Sequence, residues 1–299
     1  MSDEVVLVDV ADGVMTITLN RPKAKNAVNR AVAEGVAAAI DQLEADDAIR
    51  AAVITGAGGT FCSGMDLKAF VTGELPIVEG RGFAGVCDYR VKKPLIAAIE
   101  GYALAGGFEL AISCDLIVAA EDAKFGIPEV KRGLAAAGGG LIKLPKQIPS
   151  RIAKELALTG EFISSARAYE LGLINQVAAP GSALEAARAM AATIAANGPL
   201  AVSLSKKVLD HAQDWKNDEM YPKQQDIIEP IFTSEDAIEG AMAFAEKRAP
   251  NWKGKEGARL CKKHGLLMPA AHPAALAKKA KVPWHIFTRN TWAPRCSRP

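Results

Sequence analysis

The chain has 299 residues, 49% hydrophobic and 23% charged, which is the balance of an ordinary soluble globular protein of one large or two modest domains. Its longest apolar region is interrupted by Glu100, Glu109 and Asp115, which argues against a membrane span, and the acidic start MSDEVVLVDV lacks a basic-then-apolar signal pattern. The five cysteines are scattered with no Cys-x-x-Cys pair, so a disulfide framework or zinc site is disfavoured and a reducing cytoplasm is the expected location.

The net charge of +2 hides an asymmetry. Residues 256–299 hold nine Lys/Arg and a single acid, Glu256, leaving −6 for the first 255 residues. The body is therefore mildly acidic, with nothing that suggests a nucleic-acid surface.

In chain order, Val5 to Val10 and Val14 to Leu19 read as two strands joined by a turn at Asp12-Gly13. Proline at Pro22 ends the second. Asn29 to Ala45 is alanine-rich with Val32, Val36, Ile40 and Leu43 at helical spacing. Ala51 to Thr55 reads as a buried strand, followed by Gly56-Ala57-Gly58-Gly59. A dinucleotide-binding reading of that loop fails, because Phe61 stands where a third glycine is needed and no helix pattern begins there. Residues 72–85 read as a loop. The apolar run from Leu95 to Ile99 reads as a central strand, broken at Gly101 and at Gly106-Gly107 before Phe108 to Ile112 resumes with helix-favouring residues.

That junction carries chemistry. A glycine pair lets a substrate oxygen approach the backbone, and the first N–H groups of a helix have no partner of their own. Glu109 follows Gly106 by three residues, about one helical turn, and so overhangs the same spot. Cys114 to Ala120 reads as another buried strand, and Gly138 to Gly140 as a turn. A helix follows around Arg151 to Leu158, then Ala166 to Leu171, Ile174 to Val177 and Leu184 to Ala196 as helix, strand and helix. From Pro199 to Ala249 the pattern is helical only. The layout over the first ~195 residues is a repeating β, β, α of the α/β class.

Seven segments in this order resemble the crotonase, or enoyl-CoA hydratase, superfamily over about Val5 to Lys255: Leu19 to Ala27, Ile54 to Gly56, Phe61 to Leu67, Lys93 to Ile99, Gly101 to Leu110, Cys114-Asp115, and Phe125 to Glu129. The resemblance implies a spiral of ββα turns over residues 1–195, a helical region at 196–255 that builds trimers, often paired as hexamers, and a basic tail at 256–299 outside the family pattern. It implies an oxyanion hole from the amides of Met65 and Gly106, and two catalytic glutamates, Glu109 and Glu129. Lys23, Ala24, Ala27, Ser63, Asp66 and Lys68 map to the coenzyme A side. Three pieces, Gly82 to Gly85, Leu144 to Lys146 and Ser234 to Arg248, look like the carnitinyl-CoA dehydratase branch.

Hydration of an α,β-unsaturated thioester explains those residue types. Charge gathers on the thioester oxygen as an enolate forms, and two fixed N–H donors stabilise it. Water loses a proton and Cα gains one, which two carboxylates of differing protonation can manage. Glu109 is assigned to the water and Glu129 to Cα. The expected protein is an enoyl-CoA hydratase with no cofactor beyond the coenzyme A of its substrate, no metal, no nucleic-acid partner and no membrane insertion. The alternatives are carnitinyl-CoA dehydratase-like activity, a Δ3-Δ2 enoyl-CoA isomerase, and a non-catalytic acyl-CoA binding protein. A serine hydrolase is disfavoured, since no Gly-x-Ser-x-Gly is present and the first histidine is His211. Two departures from the family stand near the site. Ala105 occupies a common glycine position, where little effect is expected because Gly106 carries the N–H. Ala135-Ala136-Ala137 replaces a common proline, implying a differently shaped acyl pocket.

Overall fold

The structure is a computed structural model that describes residues 4–255. The basic tail at 256–299 lies outside the described residues. The chain divides into two compact units at Met220/Tyr221, each described by itself below.

The first unit begins with the hairpin of β1 (Val6–Ala11) and β2 (Val14–Leu19), paired in register from Val6↔Leu19 to Ala11↔Val14. Asp12 and Gly13 both take positive φ, as a two-residue hairpin turn requires. Helix α1 (Arg30–Ala45) is capped by Asn29, whose side chain accepts from the Val32 amide (3.1 Å). Then come β3 (Ala51–Gly56), α2 (Leu67–Val71), and the short pair β4 (Ile77–Val78) and β5 (Gly82–Phe83). The central stretch folds as β6 (Leu95–Ile99), β7 (Tyr102–Leu104) and α3 (Gly106–Ala111). It is followed by β8 (Leu116–Ala120), β9 (Lys124–Gly126), α4 (Gly140–Gln147) and α5 (Ser150–Thr159). The unit ends with β10 (Ile163–Ser164), α6 (Ser165–Glu170), β11 (Gln176–Ala178), α7 (Ala183–Ala195) and α8 (Pro199–Ala212).

The main sheet has the order β1-β2-β3-β6-β8-β11, parallel from β2 onward. A second sheet has the order β10-β9-β7, and an isolated bridge sets Cys62 beside Ala103 of β7. Three successive passes of the chain therefore lay one strand in the main sheet and one segment in the second: β3 with Cys62, β6 with β7, β8 with β9. That repetition is the spiral implied by the sequence.

Strand alternation decides which face each residue serves. In β3, Ala52 and Ile54 join the larger core, while Ala51 and Val53 join a smaller core under α7. In β6, Leu95, Ala97 and Ile99 face the larger core, and Ile96 and Ala98 face the α7 side. Strands buried on both faces read as unbroken apolar runs, which is why AAVIT and LIAAI carry no polar alternation.

Several boundaries differ from the sequence reading. The strand read from Cys114 starts at Leu116, because Asp115 is held across to β6: its amide donates to Leu95 O and its Oδ2 accepts from Leu95 N, both at 2.8 Å. Helix α2 lies where no helix was expected. Its cap is Asp66, whose Oδ1 accepts from Lys68 N (3.0 Å) and Ala69 N (3.4 Å), and its apolar residues Leu67, Phe70 and Val71 are exposed, so periodicity does not betray it. Loop 72–85 contains β4 and β5. The glycine-rich turn at 138–140 leads directly into α4, which holds Pro145 within it.

The second unit begins at Tyr221, within α9 (Met220–Phe232), and contains α10 (Glu235–Glu246). Ser234 caps α10 through the Ala237 amide (3.1 Å), and Asp236 receives the Lys253 and Gly254 amides at 2.6 and 2.9 Å. Among the described residues no helix is long and apolar enough to cross a membrane.

Candidate active site

One cavity of about 1020 Å³ gathers nearly all the residues that the sequence singled out. Met65 and Gly106 line it together with both glutamates. Met65 sits on the segment after β3, bridged to Val28. In that bridge the flanking groups make the bonds, Val28 N to Gly64 O (2.8 Å) and Asp66 N to Val28 O (2.9 Å). The Met65 N–H therefore faces away from Val28. Gly106 is the first residue of α3, so its N–H has no acceptor one turn back. Neither amide has a protein acceptor among the described residues.

The two segments are pressed together. Leu104 N donates to Cys62 O (3.0 Å) and Cys62 N to Tyr102 O (2.9 Å). A Cβ on Gly107 would stand 2.2 Å from Cys62 O, so only glycine lets α3 begin this close. Ala105, the residue before α3, is held at φ 51, ψ −130. The Gly106 N–H remains available, but an L-residue at these angles carries backbone strain of order 1–3 kcal/mol at the edge of the oxyanion pair.

Glu109 is buried, 3% exposed, on the inward face of α3. Its Oε1 accepts from the Gly140 amide (2.8 Å), the first residue of α4, and the Gly138 backbone stands beside the carboxylate. Burial raises its pKa above the usual value, against the Gly140 and Gly138 backbone and the Lys143 charge, which lower it. Glu129 sits in a 3₁₀ turn, Pro128–Arg132, that the αL residue Gly133 closes. Its Oε2 is buried without a hydrogen-bond partner. Burial, then the neighbouring Glu109 charge, lift its pKa to about 7. The two acids thus share one space with contrasting support.

All six residues expected on the coenzyme A side, Lys23, Ala24, Ala27, Ser63, Asp66 and Lys68, line the same cavity. Asp66 does so with its carboxylate already engaged: Oδ2 pairs with Arg21 (2.9 Å) and Oδ1 caps α2. Burial raises the Asp66 pKa, but the Arg21 and α2 bonds outweigh it and hold the group below the usual carboxylate range. Arg21 also donates to Ala27 O (2.6 Å), tying the segment before α1 to the rim. Asn26, buried at φ 55, fastens the same segment to Ala57 O (2.9 Å) and Thr60 O (2.6 Å).

Sequence reasoning missed Phe83, Asp88, Gly138 and Lys143. Phe83 lines the cavity from the stretch read as a loop, and Asp88 lines it from just beyond that stretch. Ala135 and Ala137 line it as well, so the alanine run does shape its wall. Gly138 and Lys143 lay in and after the glycine-rich stretch 138–140 that read as a turn. Among the described residues no group of three His, Cys, Asp or Glu could hold a metal ion.

A family model describing enoyl-CoA hydratase/isomerase matches residues 9–255. The chain belongs to the enoyl-CoA hydratase/isomerase family. A carnitinyl-CoA dehydratase of Proteus mirabilis is 38% identical over 250 residues, covering 81% of this chain and 95% of the relative. An enoyl-CoA hydratase of Mycobacterium tuberculosis is 40% identical over 264 residues, covering 83% and 96%. Among solved structures, an enoyl-CoA hydratase from Mycobacterium tuberculosis superposes with a TM-score of 0.83 at 57% identity, covering 85% of this chain and all of that one. A carnitinyl-CoA hydratase from Mycobacterium avium gives 0.68 at 44%, with the same coverage. The α/β crotonase-type architecture read from the sequence is thus the architecture of this family.

Proposed function

We propose that this member of the family is an enoyl-CoA hydratase, a hydro-lyase that reversibly adds water across the 2,3-double bond of an acyl-CoA thioester. The observation that carries the reading is the sharing of one cavity by a buried carboxylate, Glu109, a half-buried one, Glu129, and two unpaired backbone amides. The thioester oxygen takes the Met65 and Gly106 N–H groups, and removal of one such donor costs ~2.7–4 kcal/mol in related acyl chemistry. Glu109, whose carboxylate form the Gly140 amide favours against the effect of burial, accepts the proton of the attacking water as oxygen bonds to Cβ. Glu129, with a pKa of about 7, gives its proton to Cα as the enolate collapses. Dehydration of a 3-hydroxyacyl thioester runs the same steps backwards, so a carnitinyl-CoA dehydratase-like substrate uses the same groups. The relatives bearing that name favour this as the second reading.

The coenzyme A moiety lies along Lys23, Ala24, Ala27, Ser63 and Lys68, with Asp66 holding Arg21 behind them. The working protein is a cytoplasmic homotrimer or a dimer of trimers, assembled through residues 196–255, with no cofactor of its own and no nucleic-acid partner or membrane insertion.

Turnover of crotonyl-CoA in ¹⁸O-labelled water tests the reaction. Label enters at Cβ, and Glu109→Gln and Glu129→Gln each lower the rate by ~10²–10⁴-fold. A shifted double bond without label, insensitive to Glu109→Gln, would establish an isomerase instead. Thioester binding without any turnover would leave a non-catalytic acyl-CoA binding protein.

A further inference from the structure

Behind Glu109 lies a lysine that the reaction as derived does not use. Lys143 is half-buried in the second turn region of α4, three residues after Gly140, whose amide holds Glu109 Oε1. Its ammonium is anchored at two points: it donates to the Cys87 carbonyl and to Ser113 Oγ (2.6 Å). Ser113 Oγ in turn donates to the Glu109 carbonyl (2.6 Å). The cation is thereby fixed two hydrogen bonds from the Glu109 backbone, on the helix that also grips the Glu109 carboxylate.

We infer that Lys143 is a positioning residue whose anchored charge favours the carboxylate form of Glu109 within the cavity, so that the acid can serve as the base toward water. The inference rests on the reading of Glu109 as that base. The charges facing Glu109 come from three elements besides its own. Lys143 on α4 favours the carboxylate, while Asp88 after β5 opposes it. Glu129 on the 3₁₀ turn is a second acid coupled to Glu109. Cys87 is also near, but burial pushes its thiol up to about 12, so it stays neutral. The Lys143 charge acts on Glu109, whereas the groups acting on Glu129 are its own backbone and Glu109. The Lys143 charge thus favours ionisation of Glu109, while Glu129 is raised chiefly by burial.

The arrangement has a second physical merit. A long, flexible ammonium near a carboxylate ordinarily seeks direct contact, which would cover the oxygen needed by water. Here a carbonyl and a hydroxyl hold it back, and the carboxylate receives the Gly140 N–H instead. The charge acts at a distance and leaves the cavity side of Glu109 open.

The test is an infrared pH titration of the full-length protein. The Glu109 carboxyl band is identified by its loss in Glu109→Gln, so ionisation is read without turnover. In Lys143→Met the Glu109 midpoint rises by about one pH unit, the low end of the effect of a nearby opposite charge. Lys143→Arg restores it to near the wild-type position. Ser113→Ala, which retains the charge but frees one anchor, moves it in the same direction by less and serves if Lys143→Met fails to fold. A midpoint unmoved in both Lys143→Met and Ser113→Ala overturns the inference. The acid limb of kcat/KM for crotonyl-CoA hydration should rise with the infrared midpoint. If the midpoint moves but the limb does not, Lys143 favours the ionisation as inferred and the reading of Glu109 as the base fails.

Discussion

Replacing Glu129 by glutamine should make the protein more stable at alkaline pH and nearly inactive. The isolated carboxyl ionises near 4.5, but burial and the Glu109 charge lift it to about 7 in the folded chain. At ~1.4 kcal/mol per pH unit, the cost of its charge is at most ~3.5 kcal/mol. The side chain is partly open to solvent, and screening brings the figure to ~1–2 kcal/mol. The sign follows from proton binding. Below pH 4.5 both the folded and the unfolded chain keep the proton, and Glu129 costs nothing. Between 4.5 and 7 the unfolded chain releases its proton first, so stability falls as pH rises; above 7 the loss is complete. Glu129→Gln has no charge to bury. Urea unfolding followed by tryptophan fluorescence, at one fixed protein concentration, should show a gain of ~1–2 kcal/mol at pH 8 that shrinks toward zero at pH 4. A variant no more stable than wild type at pH 8, or one whose gain persists at pH 4, would refute the electrostatic account.

Ala105→Gly removes an L-residue from φ 51, ψ −130 and should raise the melting temperature, by relief of part of the ~1–3 kcal/mol of strain, with turnover retained. Gly106→Ala should abolish hydration, since its Cβ would stand 2.4 Å from Phe83 Cζ and displace the amide that faces the cavity; circular dichroism reports whether the fold survives. A chain stopped at Lys255 should keep the turnover and oligomeric state of the full-length protein, because the family match ends there. Size-exclusion chromatography with light scattering, beside a crotonyl-CoA assay, would detect a dissociated or inactive product.

What the sequence made legible follows from how each residue is used. Strands β3 and β6 are apolar on both faces, so they stand out as unbroken runs, and the helical spacing read over Asn29 to Ala45 matches α1, which starts one residue later. Glu109 was legible because it follows a glycine pair at a strand-to-helix junction, and Glu129 because it falls in register with six other family segments. Helix α4 was not legible. Its entry residue Gly139 at φ 110 reads as a turn, and Pro145 is of a type that ordinarily breaks a helix, although only one internal amide is lost by placing it there. With α4 went Lys143, the Gly140 amide that holds Glu109 and the Gly138 backbone beside it, which act through backbone position and leave no motif. Helix α2 escaped for a different reason: its apolar residues are exposed, so the usual link between periodicity and burial is broken. Ala105 is the reverse case, a visible substitution whose cost appears only in its backbone angles.

The cavity also explains how two acids of the same chemical type come to differ. Burial raises both, since a carboxylate leaves water at a cost wherever it sits. What separates them is the scaffold on which each is mounted. Glu109 projects from α3 toward the start of α4, where a helix amide and a nearby ammonium favour its charged form. Glu129 projects from a 3₁₀ turn, with a buried oxygen that no donor meets and with Glu109 as its charged neighbour. Ionising Glu109 therefore helps to keep Glu129 protonated, because like charges in a shared space resist a second ionisation. A base and an acid can then coexist near neutral pH. The same coupling implies that neutralising Glu109 lowers the Glu129 pKa, so less of Glu129 carries the proton near neutral pH even where its own contacts are untouched.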